Sequence, residues 1–368
     1  MTLEFRPYAR RARLRPGAVM KRAEVCKGDR VPGPLASDDG PVRGFDDQVQ
    51  EEVGVFDPKG VAESDMWAIT AYFNPAGFGR RLSNYRQFRR HLRVPLLTVE
   101  LAFGEGFELG DGDADILLRR SGHDVMWQKE RLLNLALAAL PASCTKVAWL
   151  DCDLIFAEPD GWPERTGALL ERFALVQPFS VVRMMPRDWR PGSAIADDGA
   201  LGSVAYVIEG GMSVEDCLLR SFRDAQCARG IAWAARRDLL AEHGVYDLGV
   251  IGGGDGVFAR SAFGYWKHAA DRLRLNESGR GHLRAWAEPF HESVRGSVGY
   301  APGEVFHLWH GSPADRRYSE RHEEFASFGF DPVEDVALDD NGRWRWNSPK
   351  PEMHTFVGDY FKQRREDG

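Results

Sequence analysis

The chain has 368 residues, 43% of them hydrophobic, with 11 Trp and 21 Phe, enough apolar material for one large core or two modest ones. A formal net charge of −7 excludes a general nucleic-acid binder, and no apolar stretch approaches the roughly 20 residues that span a bilayer. Five cysteines at irregular spacing, Cys26, Cys144, Cys152, Cys217 and Cys227, read as reduced thiols of a cytoplasmic protein and not as a disulfide framework or zinc site.

Residues 1–63 are rich in proline, glycine and charge, as in Arg30-Val31-Pro32-Gly33-Pro34, and show no sustained periodicity. They are expected to form a flexible N-terminal extension. Met1–Arg15 carries arginines without an apolar run behind them, so it does not read as a secretory signal. A catalytic domain is expected over 64–330, with 331–368 as a tail packed on it.

The first strand is expected at Met66–Phe73, followed by an Asn74-Pro75-Ala76-Gly77 turn. Leu82, Tyr85, Phe88 and Leu92 have helical spacing within Arg80–Leu92. Strands are expected at Val94–Phe103 and Ala114–Arg119, then a helix over Val125–Leu137 that stops before Pro141. The alternation of strands and helices predicts a mostly parallel sheet with helices on its faces. Ligands bind such sheets beyond the carboxyl ends of the strands.

Lys146–Phe156 is an apolar run interrupted by Asp151-Cys152-Asp153. Read as one buried strand, it points both aspartates to the same side and Cys152 away. Two carboxylates at the exit of a buried strand call for a cation, and hard divalent ions such as Mg²⁺ and Mn²⁺ take oxygen ligands of this kind. The alternative is a strand end whose aspartates cap the next turn.

Further strands are expected at Leu175–Phe179, Gly230–Ala235 and Glu304–Gly311, and helices at Glu164–Phe173, Val214–Arg229, Arg236–His243, Asp255–Phe263, Trp266–Leu275, His282–Ser293 and Pro313–Phe328; residues 184–202 read as a loop. Gly252-Gly253-Gly254 precedes Asp255, and glycines there allow positive φ or close backbone approach. Asp255 is then either a helix cap or a carboxylate facing a cavity, where it can take a proton. His307 and His310 point to opposite faces if the strand runs through both, and converge if it turns. His310, at the strand end, is the better candidate ligand.

Taken in order, Asp151-x-Asp153 after an apolar strand, Gly230-x-Ala232-Trp233-Ala234-Ala235-Arg236-Arg237, Gly252-Gly253-Gly254-Asp255 and His307-x-x-His310 resemble the GT-A class of nucleotide-sugar glycosyltransferases. Within it the likeness is to the inverting galactosyltransferase and N-acetylgalactosaminyltransferase type, over roughly residues 66–325. The resemblance implies a single α/β domain of the GT-A fold, Rossmann-like with a mostly parallel central sheet. It implies a Mn²⁺ (or Mg²⁺) site at Asp151, Asp153 and His310 or His307, holding the diphosphate of a UDP-hexose donor, and Asp255 as catalytic base toward a saccharide or other hydroxyl acceptor. Donor contacts at Tyr72, Asn74, Arg119, Lys129 and Asp151, and acceptor contacts at Trp233, Gly253 and Gly254, follow from it as well.

One departure is clear. The family's Gly-Gly-Glu-Asp is Gly252-Gly253-Gly254-Asp255 here, so its first acid is missing. Two other readings are a retaining, glycogenin-like transferase and a non-catalytic sugar-binding protein on the same fold. The retaining class expects His-x-x-Gly-x-x-Lys-Pro, which His310-Gly311-Ser312-Pro313 does not match.

Overall fold

The structure, a computed structural model, describes residues 64–104, 106–195, 199–221 and 224–368. The expectation for residues 1–63 lies outside them. The strands, in chain order, are β1 (Met66–Phe73), β2 (Leu96–Ala102), β3 (Ile116–Ser121), β4 (Lys146–Leu150), β5 (Leu154–Phe156), β6 (Leu175–Gln177), β7 (Val181–Met184), β8 (Ala200–Ser203), β9 (Cys227–Ala228), β10 (Ala232–Arg236), β11 (Val298–Tyr300), β12 (Glu304–His307), β13 (Val336–Leu338) and β14 (Trp344–Trp346).

The central sheet has seven strands in the order β11-β6-β10-β4-β1-β2-β3. It is an α/β arrangement, mostly parallel and flanked by helices. β1 and β2 are buried at every position, because strands covered on both faces need near-continuous apolar sequence. β1 pairs in parallel with β2 on one side and with β4 on the other. The chain therefore reverses its direction of travel across the sheet between β1 and β4, and beyond such a point ligands bind. β10 runs antiparallel to both β4 and β6.

The run Lys146–Phe156 is not one strand. β4 ends at Leu150 in the central sheet, and β5 starts at Leu154 in a second sheet of order β5-β12-β7-β8-β9. The three residues between them leave both sheets, and their side chains are half-buried. β5 pairs antiparallel with β12, with Leu154 opposite His307, and Leu308 N donates to Asp153 O at 2.8 Å. This pairing brings the Asp-Cys-Asp turn against the histidines.

Four other expectations shift. The loop expected at 184–202 is bracketed by β7 and β8, which pair antiparallel. The helix expected over Val214–Arg229 covers Val214–Leu219, and β9 follows. The strand expected through Gly311 ends at His307. The helix expected over Pro313–Phe328 is split into a 3₁₀ turn, Pro313–Arg316, and a helix, Glu320–Ala326. The break is at Arg317, in the left-handed region at φ 44°, which stops helix propagation.

Residues beyond 330 form the β13–β14 hairpin and the helix Pro351–Gln363. Gln128 Nε2 donates to Trp344 O at 2.9 Å and Gln128 Oε1 accepts from Trp344 N at 3.0 Å, which pins the hairpin to the start of the helix Lys129–Ala139. Among the described residues no helix is long and apolar enough to cross a membrane.

Candidate functional site

A cavity of about 460 Å³ opens at the carboxyl ends of β1 and β4 and is lined by Asp151, Asp153, Lys129, Asp255, His307 and His310 together with several arginines. Its volume is that of a small-molecule site. Lys129 begins the helix Lys129–Ala139, and its Nζ sits 2.5 Å from Asp151 Oδ1 and 3.1 Å from Asp255 Oδ1. Burial by itself would push the Lys129 ammonium down, but the carboxylates of Asp151 and Asp255 overcome it and hold the group well above its usual range. Lys129 is thus a fixed cation between two aspartates that lie 104 positions apart in the chain (255 − 151).

The second half of the site is a cluster of Asp153, His307 and His310, whose ligand atoms lie within 4.8 Å of one another. Because the strand stops at His307, His310 is carried around a turn, and the two rings meet edge to face with centroids 4.5 Å apart. His307 Nε2 is 3.2 Å from Asp153 Oδ1 and His310 Nδ1 is 3.5 Å from Asp153 Oδ2. His310 Nδ1 also lies 2.9 Å from Leu308 O, which fixes that nitrogen as the protonated one and leaves Nε2 its lone pair. Burial works against charge throughout the cluster. It would raise the Asp153 carboxyl, yet His307, itself held above its usual range by Asp153 despite burial, pulls it well below the carboxylate range. Burial, with Arg316 beside it, pushes His310 down to about 3, so its imidazole is neutral.

The cluster has the composition of a metal site. His307 Nδ1 is a buried atom without a hydrogen-bond partner among the described residues, and Asp153 Oδ1 is buried against the His307 ring at 3.2 Å; under-satisfied groups of this kind call for an ion or a water. One carboxylate oxygen and two imidazole nitrogens suit Mn²⁺ or another first-row ion better than Mg²⁺. Asp151, expected to share the metal with Asp153, is turned instead to Lys129.

The glycine run has two separate causes. Gly252 and Gly253 sit at φ 86° and φ 102°, conformations open chiefly to glycine. Gly254 starts the helix Gly254–Ala262 and is glycine for a different reason: the Glu130 carboxylate fills the space its Cβ would take. Glu130 is 5% exposed and accepts from Trp127 Nε1 at 3.0 Å. Burial, opposed by Lys129 and reinforced by Asp255, pushes it up to about 8. Gly253 lines the cavity; Gly254 does not.

Four residues expected at the site stand elsewhere. Tyr72 is 1% exposed and its hydroxyl donates to Glu108 Oε2. Asn74 Nδ2 donates to the same carboxylate at 3.0 Å. Arg119 Nη2 donates to Leu109 O at 2.8 Å and pairs with Asp111 at 3.2 Å. These three serve the segment around Glu108–Asp111 and do not line the cavity. Trp233 is 1% exposed, packs on Phe258 with centroids 5.5 Å apart and offers no free face to a sugar. Its place in an all-apolar strand, Ala232-Trp233-Ala234-Ala235, was the signal for core packing.

The tail was expected to pack on the domain, but its place beside the cavity was not foreseen. Glu366, 1% exposed at its side chain, pairs with Arg364 at 2.6 Å, Arg81 at 3.0 Å and Arg316 at 3.6 Å. All three arginines line the cavity. Asp367 accepts from Gly79 N at 3.1 Å and Arg80 N at 2.7 Å, placing a carboxylate on the free amides that open a helix.

No protein-family model matches the chain, and no curated protein matches it in sequence. Among solved structures it is similar to residues 1–349 of S. aureus TarS, with 8% identity and a TM-score of 0.35 over 82% of this chain and 71% of that one. It is similar to glucosyl-3-phosphoglycerate synthase from Mycobacterium tuberculosis, solved with Mn²⁺, UDP and phosphoglyceric acid, with 17% identity and a TM-score of 0.33 over 76% and 84%. It is also similar to 4-diphosphocytidyl-2C-methyl-D-erythritol synthase from Anaerococcus prevotii, with 13% identity and a TM-score of 0.30 over 72% and 98%. At these scores the functional reading rests on the site's own geometry.

Proposed function

We propose that this chain is a metal-dependent, inverting glycosyltransferase that moves a hexose from a UDP-sugar to an acceptor hydroxyl. One observation carries the reading. A two-histidine, one-carboxylate cluster and a separate carboxylate, Asp255, face one cavity, and the Lys129–Asp151 pair holds the space between them.

Asp153, His307 and His310 would hold Mn²⁺, and a bound ion supplies Lewis-acid neutralisation of a leaving diphosphate. Asp255, with its side chain 43% exposed, is the group that can reach an incoming acceptor. The acceptor oxygen bonds to the anomeric carbon, the bond from that carbon to the diphosphate oxygen breaks, and the hydroxyl proton passes to Asp255. The nucleoside diphosphate leaves with the bonding pair. Lys129 fixes the Asp255 carboxylate and, through Asp151, ties it to the turn that carries Asp153. From the resemblance, the sugar is galactose or N-acetylgalactosamine.

The test is a panel of UDP- and GDP-sugars with Mn²⁺ and mixed acceptors, scored by released nucleotide. Release with one donor, lost in Asp153→Ala, supports the reading. Asp255→Asn is expected to bind UDP with Mn²⁺ and to lose transfer; unchanged transfer removes Asp255 as base. No release from any donor, with a sugar still bound, favours the sugar-binding protein.

A further inference from the structure

The wall of the cavity beyond Asp255 carries positive charge that the protein does not neutralise. Arg81, Arg316 and Arg364 share Glu366, Lys129 lies between Asp151 and Asp255, and Arg220 pairs with Asp216 at 2.9 Å. Arg229, Arg260 and Arg272 also line the cavity. Their side-chain hydrogen bonds go to neutral oxygens: Arg229 to Cys217 O and to Arg220 O at 2.8 Å, Arg260 to Gly256 O at 3.0 Å, and Arg272 to Ser319 Oγ at 3.0 Å. No carboxylate meets any of the three among the described residues. Arg260 is 7% exposed, and its Nε is buried without a partner. Burial, and then the charges of Arg229 and Arg272, push Arg260 down to about 9. Three guanidinium groups held together in this way are costly unless something anionic joins them.

The trio is placed beside the proposed base by two glycines. A Cβ at Gly230, next to Arg229, would meet Asp255 Cγ at 2.6 Å, and a Cβ at Gly256, next to Asp255, would meet Arg260 Nη1 at 2.7 Å. The guanidinium of Arg260 therefore folds over the first turn of the helix that presents Asp255. Arg272 closes the same wall from the end of the helix Trp266–Arg272. Guanidinium groups match phosphate oxygens in geometry as well as charge.

We propose that Arg229, Arg260 and Arg272 form an anion subsite that takes a phosphate group of the acceptor, next to the hydroxyl presented to Asp255. The acceptor is then a phosphorylated alcohol or sugar and not a neutral saccharide. This rests on the glycosyltransferase reading. The same chemistry has a second source, the donor's own diphosphate, which the experiment separates by filling the donor site first.

The full chain is saturated with UDP and Mn²⁺, and sn-glycerol 3-phosphate or glycerol is titrated by calorimetry at low ionic strength. Glycerol phosphate is expected to bind and glycerol not. Arg272→Gln, at an exposed position, is expected to weaken glycerol phosphate roughly tenfold, Arg272→Lys less, and UDP binding to change by less than about twofold. Arg229→Gln is the second variant, in case Arg272→Gln does not fold. Equal behaviour of glycerol and glycerol phosphate overturns the subsite while UDP binding keeps the transferase reading. Glycerol phosphate affinity unmoved in both variants overturns it too. Parallel loss of UDP affinity assigns the arginines to the donor instead. Wild-type protein that binds no UDP with Mn²⁺ overturns the transferase reading, and the acceptor role with it.

Discussion

The carboxylate of Glu130 occupies the space that a side chain at Gly254 would need. One residue comes from the helix that follows β3, the other from the start of the helix that carries Asp255, so the contact sets how closely these two elements approach. Gly254→Ala is expected to destabilise the protein by about 1–3 kcal/mol through overpacking. In a double-mutant cycle, Glu130→Ala should remove most of that cost from Gly254→Ala, leaving a coupling of about 1 kcal/mol or more. Additive effects in chemical denaturation would show that the two side chains do not compete for one space.

The same glutamate should leave a mark on stability against pH. Its carboxyl is raised from 4.5 to about 8 by burial, against the pull of Lys129. Between those values the folded state holds a proton that the unfolded state releases, so the Glu130 contribution falls as pH rises through the window and is flat above it. Glu130→Gln lacks this slope. Relative to wild type, the variant is expected to gain on the order of 3–5 kcal/mol between pH 4.5 and pH 8. Parallel stability curves for the two proteins would mean that Glu130 is charged throughout.

Removal of the ion tests the histidine cluster independently of catalysis. Mn²⁺ at about a hundred times its Kd is expected to stabilise the wild type by roughly 2.7 kcal/mol, and a chelator to reverse this. The gain should vanish in Asp153→Ala and in His307→Ala. Asp151→Asn should retain most of it, because Asp151 faces Lys129 and is not part of the cluster. Equal loss in Asp151→Asn would return that carboxylate to the metal.

The sheet was legible because its strands are apolar runs bounded by turn residues; Met66–Phe73 was found to the residue. Asp153, His310 and Asp255 could be named because polar chemistry at the end of an apolar run stands out. What could not be seen was the break between β4 and β5, since periodicity within Lys146–Phe156 does not say that the chain changes sheets at Asp151. That break divides the aspartates, one to Lys129 and one to the histidines. Tyr72, Asn74 and Arg119 were placed by analogy, and their hydrogen bonds go to a loop whose course no local pattern specifies. Glu366 was invisible for a related reason: an acid within the charged run Arg364-Arg365-Glu366-Asp367 gives no sign that Arg81 and Arg316, from distant segments, converge on it with Arg364.

That convergence gives a prediction with a definite sign. Burial would raise the Glu366 carboxyl, but Arg81, Arg364 and Arg316 bring it from 4.5 down to about 2. The folded state keeps the charge where the unfolded state takes up a proton. The stability from this network is therefore complete above pH 4.5 and is lost as pH falls toward 2. The shift corresponds to about 3 kcal/mol, in line with the roughly 3–5 kcal/mol lost when one partner of a buried ion pair is removed. Glu366→Gln should carry a deficit of that size at pH 7 and almost none near pH 2, as read by denaturant unfolding at both. Deletion of residues 364–368 should cost more, because it also removes Arg364 from the cavity wall and Asp367 from the helix start. A deficit for Glu366→Gln that is constant with pH would mean that the side chain acts by packing and not by charge.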